Sequence, residues 1–408
     1  TSINHGVHTA NNLERMRTRA VISAYLGWVM DGYDALIVTP IMPLLGQLFF
    51  PGPYSLLGGV STLVATLVGR PLGSVIMGYV GDRFGRRVGL LVTVLGYSLS
   101  ALAIALLPTY LAIGMLAPIS LLILRFLQGI FLGGEWGPGT ALIMEWSRWR
   151  RELTSAFVQS GYPIGVVIAT LVYALFMGAV GPMEFNNYFW RVYIATGAVV
   201  ALLAFAVRSR LVESPLWYKP RTNPLALLFR QGSRWLGVGV LFTGGLLMIY
   251  YSTYLIYSDF LAHVLHEPGL IPGVMLMSTI AAIIAVLLSG PLALVINYRW
   301  LIIGTLIASL AYAPFALLLQ PNFINLVLLA FIENFAMGLV PYVLFDKFET
   351  HFRASGLGVS YNWGLLIGGW APMIVVLMIP MSLGMIVMMG IGVLLAIIGT
   401  LALPRGSR

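Results

Sequence analysis

Long apolar runs alternate with short polar breaks from about residue 20 almost to the end of the chain. A bilayer-spanning helix needs about 20 residues at a rise of about 1.5 Å each. Runs of that length fall near 20–49, 56–80, 88–107, 118–145, 154–178, 189–208, 235–261, 270–296, 300–319, 323–346, 354–379 and 383–403, numbered below as spans 1 to 12. The breaks carry turn residues: Pro51-Gly52-Pro53, Pro108, Gly181-Pro182, Pro268-Gly269, Gln320-Pro321-Asn322 and Pro380. The pattern predicts an all-α membrane protein of twelve transmembrane helices. The first run is too long for the h-region of a cleavable signal peptide. The longest polar stretch lies midway, so the expected domains are a six-helix bundle at 1–208, a cytoplasmic linker at 209–234 and a second six-helix bundle at 235–408.

Composition agrees. Of the 408 residues, 59% are hydrophobic and 9% charged, against roughly a quarter charged in a soluble chain. Only a lipid solvent accommodates that much apolar surface. There is no cysteine, which excludes disulfides and thiolate metal sites, and the five histidines (His5, His8, His263, His266, His351) form no ligand cluster in sequence. No metal or organic cofactor is expected. No nucleophile–base pattern or cofactor motif marks an enzyme.

The net charge of +9 is a matter of location. With the amino terminus inside, the cytoplasmic segments hold all of the 23 basic residues except Arg70, Arg125 and Arg191. This asymmetry puts both termini in the cytoplasm, with the chain in the plasma membrane, and makes nucleic-acid binding unnecessary. The halves also echo each other: Gln159 and Gly165 follow Arg150 at the same offsets as Asn362 and Gly368 follow Arg353.

Residues 78–87, GYVGDRFGRR, lie in the short loop after span 2. They resemble the loop signature G-x-x-x-D-R-x-G-R-R of the major facilitator superfamily. RPLGS at 70–74, RFLQGIFLGGEWG at 125–137 and FRASGLGVSYN at 352–362 resemble its metabolite:proton symporter branch. MDGYD at 30–34 resembles the paired aspartates of the aromatic-acid:proton symporters, and VESPLW at 212–217 is shared with sugar porters. The equivalent loop of the second half, GPLALVINYR at 290–299, has Leu294 where an aspartate is expected. The glutamine-rich signature that sugar porters carry in span 7 is missing. The resemblance implies the major facilitator fold, two pseudo-symmetric six-helix bundles, with a substrate site between them near mid-membrane.

Charge inside the spans is the most informative chemistry, because it is costly there and usually faces a cavity or a partner. Asp34 lies ~21 Å along span 1, and Asp31 one turn earlier on nearly the same face. Asp34 resembles the protonatable aspartate of proton-coupled sugar porters, and Arg125 its arginine partner. The alternatives are a proton switch or a permanent ion pair. Asp31 either shares a proton with Asp34 or partners Arg70. Arg70, ~18 Å deeper than Asp82, offers a fork suited to a substrate carboxylate, or else pairs with Asp31 or Glu135. Glu135 relays protons or braces span 4.

Gly78, Asp82, Arg83, Gly85, Arg86 and Arg87 form the expected inner gate. Asp82 sits near the start of span 11, and Arg86 and Arg87 pair with Glu145 or Glu213, beside Arg353; the alternative is a plain positive-inside anchor. Tyr250 and Tyr254 in span 7, Asn334 in span 10, Asn362 and Trp363 in span 11 and Gln159 in span 5 are expected to line the substrate site. The reading as a whole is a monomeric secondary transporter that carries a small organic anion with protons as the coupling ion, by alternating access. A proton-coupled or facilitative sugar or polyol porter is the alternative. A transporter-like nutrient sensor would need an output domain that the short central loop does not provide.

Overall fold

The structure, a computed structural model, describes residues 2–210 and 212–404. Among these it is helical and without strands. Ten helical stretches are long and apolar enough to cross a membrane. One of them, Arg151–Ala206, is a double pass: it comprises helices Arg151–Glu184 and Trp190–Arg208, which turn through Gly181 (φ 76°) and a π-helical turn at Phe185–Phe189. A further span is cut into Arg353–Trp363, Leu365–Gly368 and Ala371–Leu377. With these two the spans number twelve. Their outer faces leave Leu99, Leu106, Ile123, Leu175 and Leu319 exposed, which suits lipid and not water.

Several spans that read as continuous are interrupted. Span 1 stops at Ile37, makes a 3₁₀ turn at Thr39–Ile41 and resumes as Met42–Phe49, because Pro40 and Pro43 lack the N–H a helix needs. Span 4 divides into Leu116–Gly133 and Trp136–Trp146. Span 7 runs as Ser233–Ser252 and leaves helical geometry at Thr253 (φ −113°, ψ −82°). Span 10 runs as Phe323–Glu333, breaks at Asn334 and Phe335, and continues through a 3₁₀ turn Ala336–Leu339 into Val340–Phe345, with Pro341 in its first turn.

The chain forms two compact units. The first comprises Thr1–Trp149, Ile168–Leu227 and Glu349–Gly358; the second comprises Arg150–Val167, Leu228–Phe348 and Val359–Arg408. The start of span 5 therefore belongs with the second unit, and the start of span 11 with the first. Within each unit, glycines let helix backbones touch. In the first, a Cβ on Gly73 would meet the Ile130 carbonyl oxygen at 1.8 Å, and one on Gly133 the Arg70 carbonyl oxygen at 2.1 Å, so spans 2 and 4 lie backbone to backbone. In the second, Gly245 and Gly392 bring spans 7 and 12 together in the same way, each Cβ meeting the other's carbonyl oxygen at 2.5 Å and 2.7 Å.

Candidate functional site

One cluster of the first unit gathers six buried charged side chains: Asp31, Asp34 and Glu135 against Arg70, Arg125 and Arg208. The close contact of spans 2 and 4 places Arg70 and Arg125 on adjoining backbones. Arg70 grips Asp31 with both arms, Nη1 to Oδ1 at 2.8 Å and Nη2 to Oδ2 at 2.7 Å. This fork-to-fork geometry is the strongest that a guanidinium makes.

Asp34, one turn along from Asp31, is different. Both of its oxygens are buried and accept no hydrogen bond among the described residues. Arg125 acts on it only through space, because its own donors go elsewhere: Nη1 to Gln128 Oε1 at 2.5 Å and Nε to the Thr62 carbonyl at 3.2 Å. The structure thus brings Asp34 and Arg125 into one electrostatic neighbourhood without joining them. Beside Asp34 there is no room to spare: a Cβ on Gly197 would lie 2.4 Å from its Oδ1.

Glu135 is held on every side. It pairs with Arg208 through both oxygens, and Oε2 also accepts from Thr93 Oγ1 at 2.8 Å. Arg208 in turn donates to the carbonyls of Ser23 and Leu90. Spans 1, 3, 4 and 6 are tied at this point. The sequence counts Arg208 among the basic residues of the cytoplasmic segments; its side chain is buried. The available signal was Glu135 itself, a buried acid in need of a cation at the end of an apolar helix.

At the basic end of the unit, the loop after span 2 turns at Gly85 (φ 117°). Asp82 accepts from the backbone N–H groups of Ala354 at 3.0 Å and Ser355 at 2.8 Å, capping the first turn of helix Arg353–Trp363. It also pairs with Arg86 at 2.8 Å. Arg86 reaches Glu145 at 3.4 Å and the Thr350 carbonyl at 2.5 Å, while Arg353 binds the same Glu145 oxygen at 2.8 Å. Glu213 accepts from the backbone N–H groups of Arg86 and Arg87 at 3.0 Å and 3.1 Å, and Arg83 donates to the Pro220 carbonyl at 2.9 Å. Gly78 lets its helix approach Ser355, whose Cα would lie 2.7 Å from a Cβ there.

In the second unit, Gln159 and Asn362 are buried. Tyr250 and Tyr254 stack at 5.1 Å, and the Tyr254 hydroxyl meets Thr279 Oγ1 at 2.6 Å. Tyr162 and Tyr361 lie within electrostatic reach of the Tyr250 hydroxyl. Asn334 turns back onto its own helix, donating to the Ala330 carbonyl at 2.7 Å, and Trp363 packs on Phe229 at 6.4 Å. Glu333, which neighbours Asn334, meets Thr253 at 2.8 Å. Among the described residues no group of histidine and acidic side chains is arranged to hold a metal.

A twelve-span helical chain with ion pairs buried among its spans, and a loop motif that caps a neighbouring span, defines a polytopic transporter. The family model of the Major Facilitator Superfamily matches residues 22–372, and the chain belongs to that superfamily. The inner membrane metabolite transport protein YhjE of Escherichia coli (strain K12) is 30% identical over 86% of this chain and 85% of its own length. The glycine betaine/proline/ectoine/pipecolic acid transporter OusA of Dickeya dadantii (strain 3937) is 28% identical over 87% of this chain and 76% of its own. Among solved structures, the proton:xylose symporter XylE bound to 6-bromo-6-deoxy-D-glucose superposes with a TM-score of 0.73 at 20% identity, covering 94% of this chain and 95% of that one. At that identity the likeness is one of fold.

Proposed function

We propose that the protein is a proton-coupled symporter of a small organic carboxylate, working by alternating access in the plasma membrane with both termini in the cytoplasm. The observation that carries this reading is the charge balance of the first unit. Around Asp31 three buried acids face three buried guanidiniums, and Asp82 and Glu145 are matched by Arg86 and Arg353; Arg70 already has both arms on Asp31. An anion arriving here would leave one buried negative charge unmatched, a penalty of several kcal/mol (~3–5 when a buried pair is broken). One proton on the Asp31 and Asp34 pair removes that excess.

The geometry suggests the order. Asp34 has no hydrogen bond to lose, so it accepts the proton first and passes it to Asp31, one turn away. A proton on Asp31 releases the Arg70 fork, which then takes the substrate carboxylate in the same two-armed way. Proton and monoanion therefore enter together, one for one. Glu135, fully engaged by Arg208 and Thr93, acts as a brace. The compounds in the name of the Dickeya relative all carry a carboxylate, which suits the same fork. Asp82, Arg86, Glu145 and Arg353 hold the start of span 11 and release it as the transporter rocks. Gln159, Tyr250, Tyr254, Asn362 and Trp363 supply hydrogen bonds and apolar faces to the rest of the substrate.

The test is uptake by the purified full chain in liposomes, using labelled monocarboxylates, betaines and pentoses under an imposed inward proton gradient. A carboxylate that accumulates with the gradient, fails to do so with a protonophore, and binds at least ~10-fold more weakly (about 1.4 kcal/mol) to Arg70→Lys supports the reading. A pentose that enters equally with or without the gradient, and is indifferent to Arg70→Lys, contradicts it and favours the sugar-porter alternative.

A further inference from the structure

Glu333 has no part in the mechanism above. It is the last residue of helix Phe323–Glu333 and is 4% exposed. Its partner Thr253 stands where helix Ser233–Ser252 ends. Spans 7 and 10 are both interrupted, and a side-chain contact joins the interruptions. Breaks of this kind turn backbone groups out of the helical ladder and recur at transport sites in membrane proteins.

The contact has a hydrogen count. Thr253 Oγ1 lies 2.8 Å from Glu333 Oε1 and also 2.8 Å from the Ile249 carbonyl oxygen. Three oxygens in a row need two hydrogens. The carbonyl brings none and the hydroxyl brings one. With Glu333 ionised, both short contacts compete for one hydrogen. With a hydrogen on Oε1, the acid donates to Thr253 Oγ1, the hydroxyl donates to the Ile249 carbonyl, and both contacts are hydrogen bonds.

The surroundings point the same way. Glu333 Oε2 is buried and accepts no hydrogen bond among the described residues. Of the elements around it, helix Ile271–Val295 carries no charged residue. Helix Tyr298–Pro314 carries only Arg299, whose guanidinium donates to the Leu401 carbonyl. Helix Ser233–Ser252 carries only Arg234, at its other end over the Trp235 ring. Tyr257 is the titratable side chain that faces Glu333. Among the described residues no cation pairs with Glu333 to compensate a carboxylate, which burial makes costly.

We propose that Glu333 is a second proton-binding site, in the second unit, whose proton ties the two interrupted spans together. When the proton leaves for water, the Thr253 hydroxyl has to choose between Glu333 and the Ile249 carbonyl. That carbonyl also accepts from the Thr253 N–H at 3.1 Å, so the choice acts on the last turn of the span 7 helix. The site does not depend on which substrate the first unit takes.

Infrared difference spectroscopy of the full chain in lipid, titrated from roughly pH 5 to 9, reads this proton directly. The expected result is a protonated-acid carbonyl stretch that fades as pH rises. It should be absent in Glu333→Gln, retained in Asp34→Asn and shifted in frequency in Thr253→Val, which removes its acceptor. Amide exchange across 249–256, corrected for intrinsic rates, should quicken about tenfold as the band fades, and lose that pH dependence in Glu333→Gln. A Glu333→Gln spectrum that superposes on the parent's at every pH overturns the proposal. Should that variant not fold, a spectrum unmoved by Thr253→Val does the same.

Discussion

In the first unit the arginines within the spans are set against carboxylates or backbone carbonyls, whereas in the second Glu333 sits beside Thr253 and Tyr257 with no ion pair among the described residues. Both units cross the same solvent and pack their helices through the same glycine contacts. They differ in how a buried acid is made tolerable. An ion pair can exchange its carboxylate for another anion when a proton takes over the charge. An acid among hydroxyls can only gain or lose a proton. Under the proposed reading the first unit couples a proton to an anion, while Glu333 in the second gains or loses a proton alone.

The sharpest way to break this contrast is to remove one partner of the brace. Arg208→Met leaves Glu135 buried and unpaired, and should cost about 3–5 kcal/mol of stability, read as a large fall in the thermal unfolding midpoint in detergent. Adding Glu135→Gln should recover most of it. A single variant as stable as the parent would mean the pair is not a brace.

Packing comes next, and should treat the two units alike. Gly133→Val, whose Cβ would meet the Arg70 carbonyl at 2.1 Å, and Gly245→Val, at 2.5 Å from Ala396 N, should each lose about 1–3 kcal/mol. A loss in one unit alone would show that charge, and not close approach, holds the other. Thr253→Val removes one neutral hydrogen-bonding hydroxyl from the second unit and should cost about 1 kcal/mol, visible as a smaller midpoint shift.

The smallest stability effect is expected where the functional effect is greatest. Asp34 has no hydrogen-bonded partner among the described residues, so Asp34→Asn should leave stability within about 0.5 kcal/mol of the parent or raise it slightly. A loss as large as that of Arg208→Met would make Asp34 a structural residue.

Hydropathy and turn chemistry make the twelve spans legible in sequence, because lipid demands continuous apolar helices. The loop at 78–87 is legible too, since its glycines and charges act over a few residues. The interruptions were harder. Pro40, Pro43 and Pro341 advertise theirs, but nothing local marks Thr253, whose break is met by a partner 80 residues away. Arg208 was hidden by its neighbours: it begins a run of loop cations, and only the approach of span 6 to spans 1 and 4 turns it inward. The pairing of Arg70 with Asp31 was one of the alternatives left open by the sequence, and both arms of the fork rest on Asp31. Arg125 and Asp34 read as partners, yet Gln128 and the Thr62 carbonyl, one of them a turn along the same helix, take the donors of Arg125 first.

The central claim, that a proton taken up at Asp34 is what lets a carboxylate in, is tested most directly by comparing exchange with accumulation in liposomes for the parent and Asp34→Asn. The variant should still exchange labelled for unlabelled carboxylate across the membrane but no longer concentrate it under an inward proton gradient. A variant that accumulates the carboxylate as the parent does would contradict it.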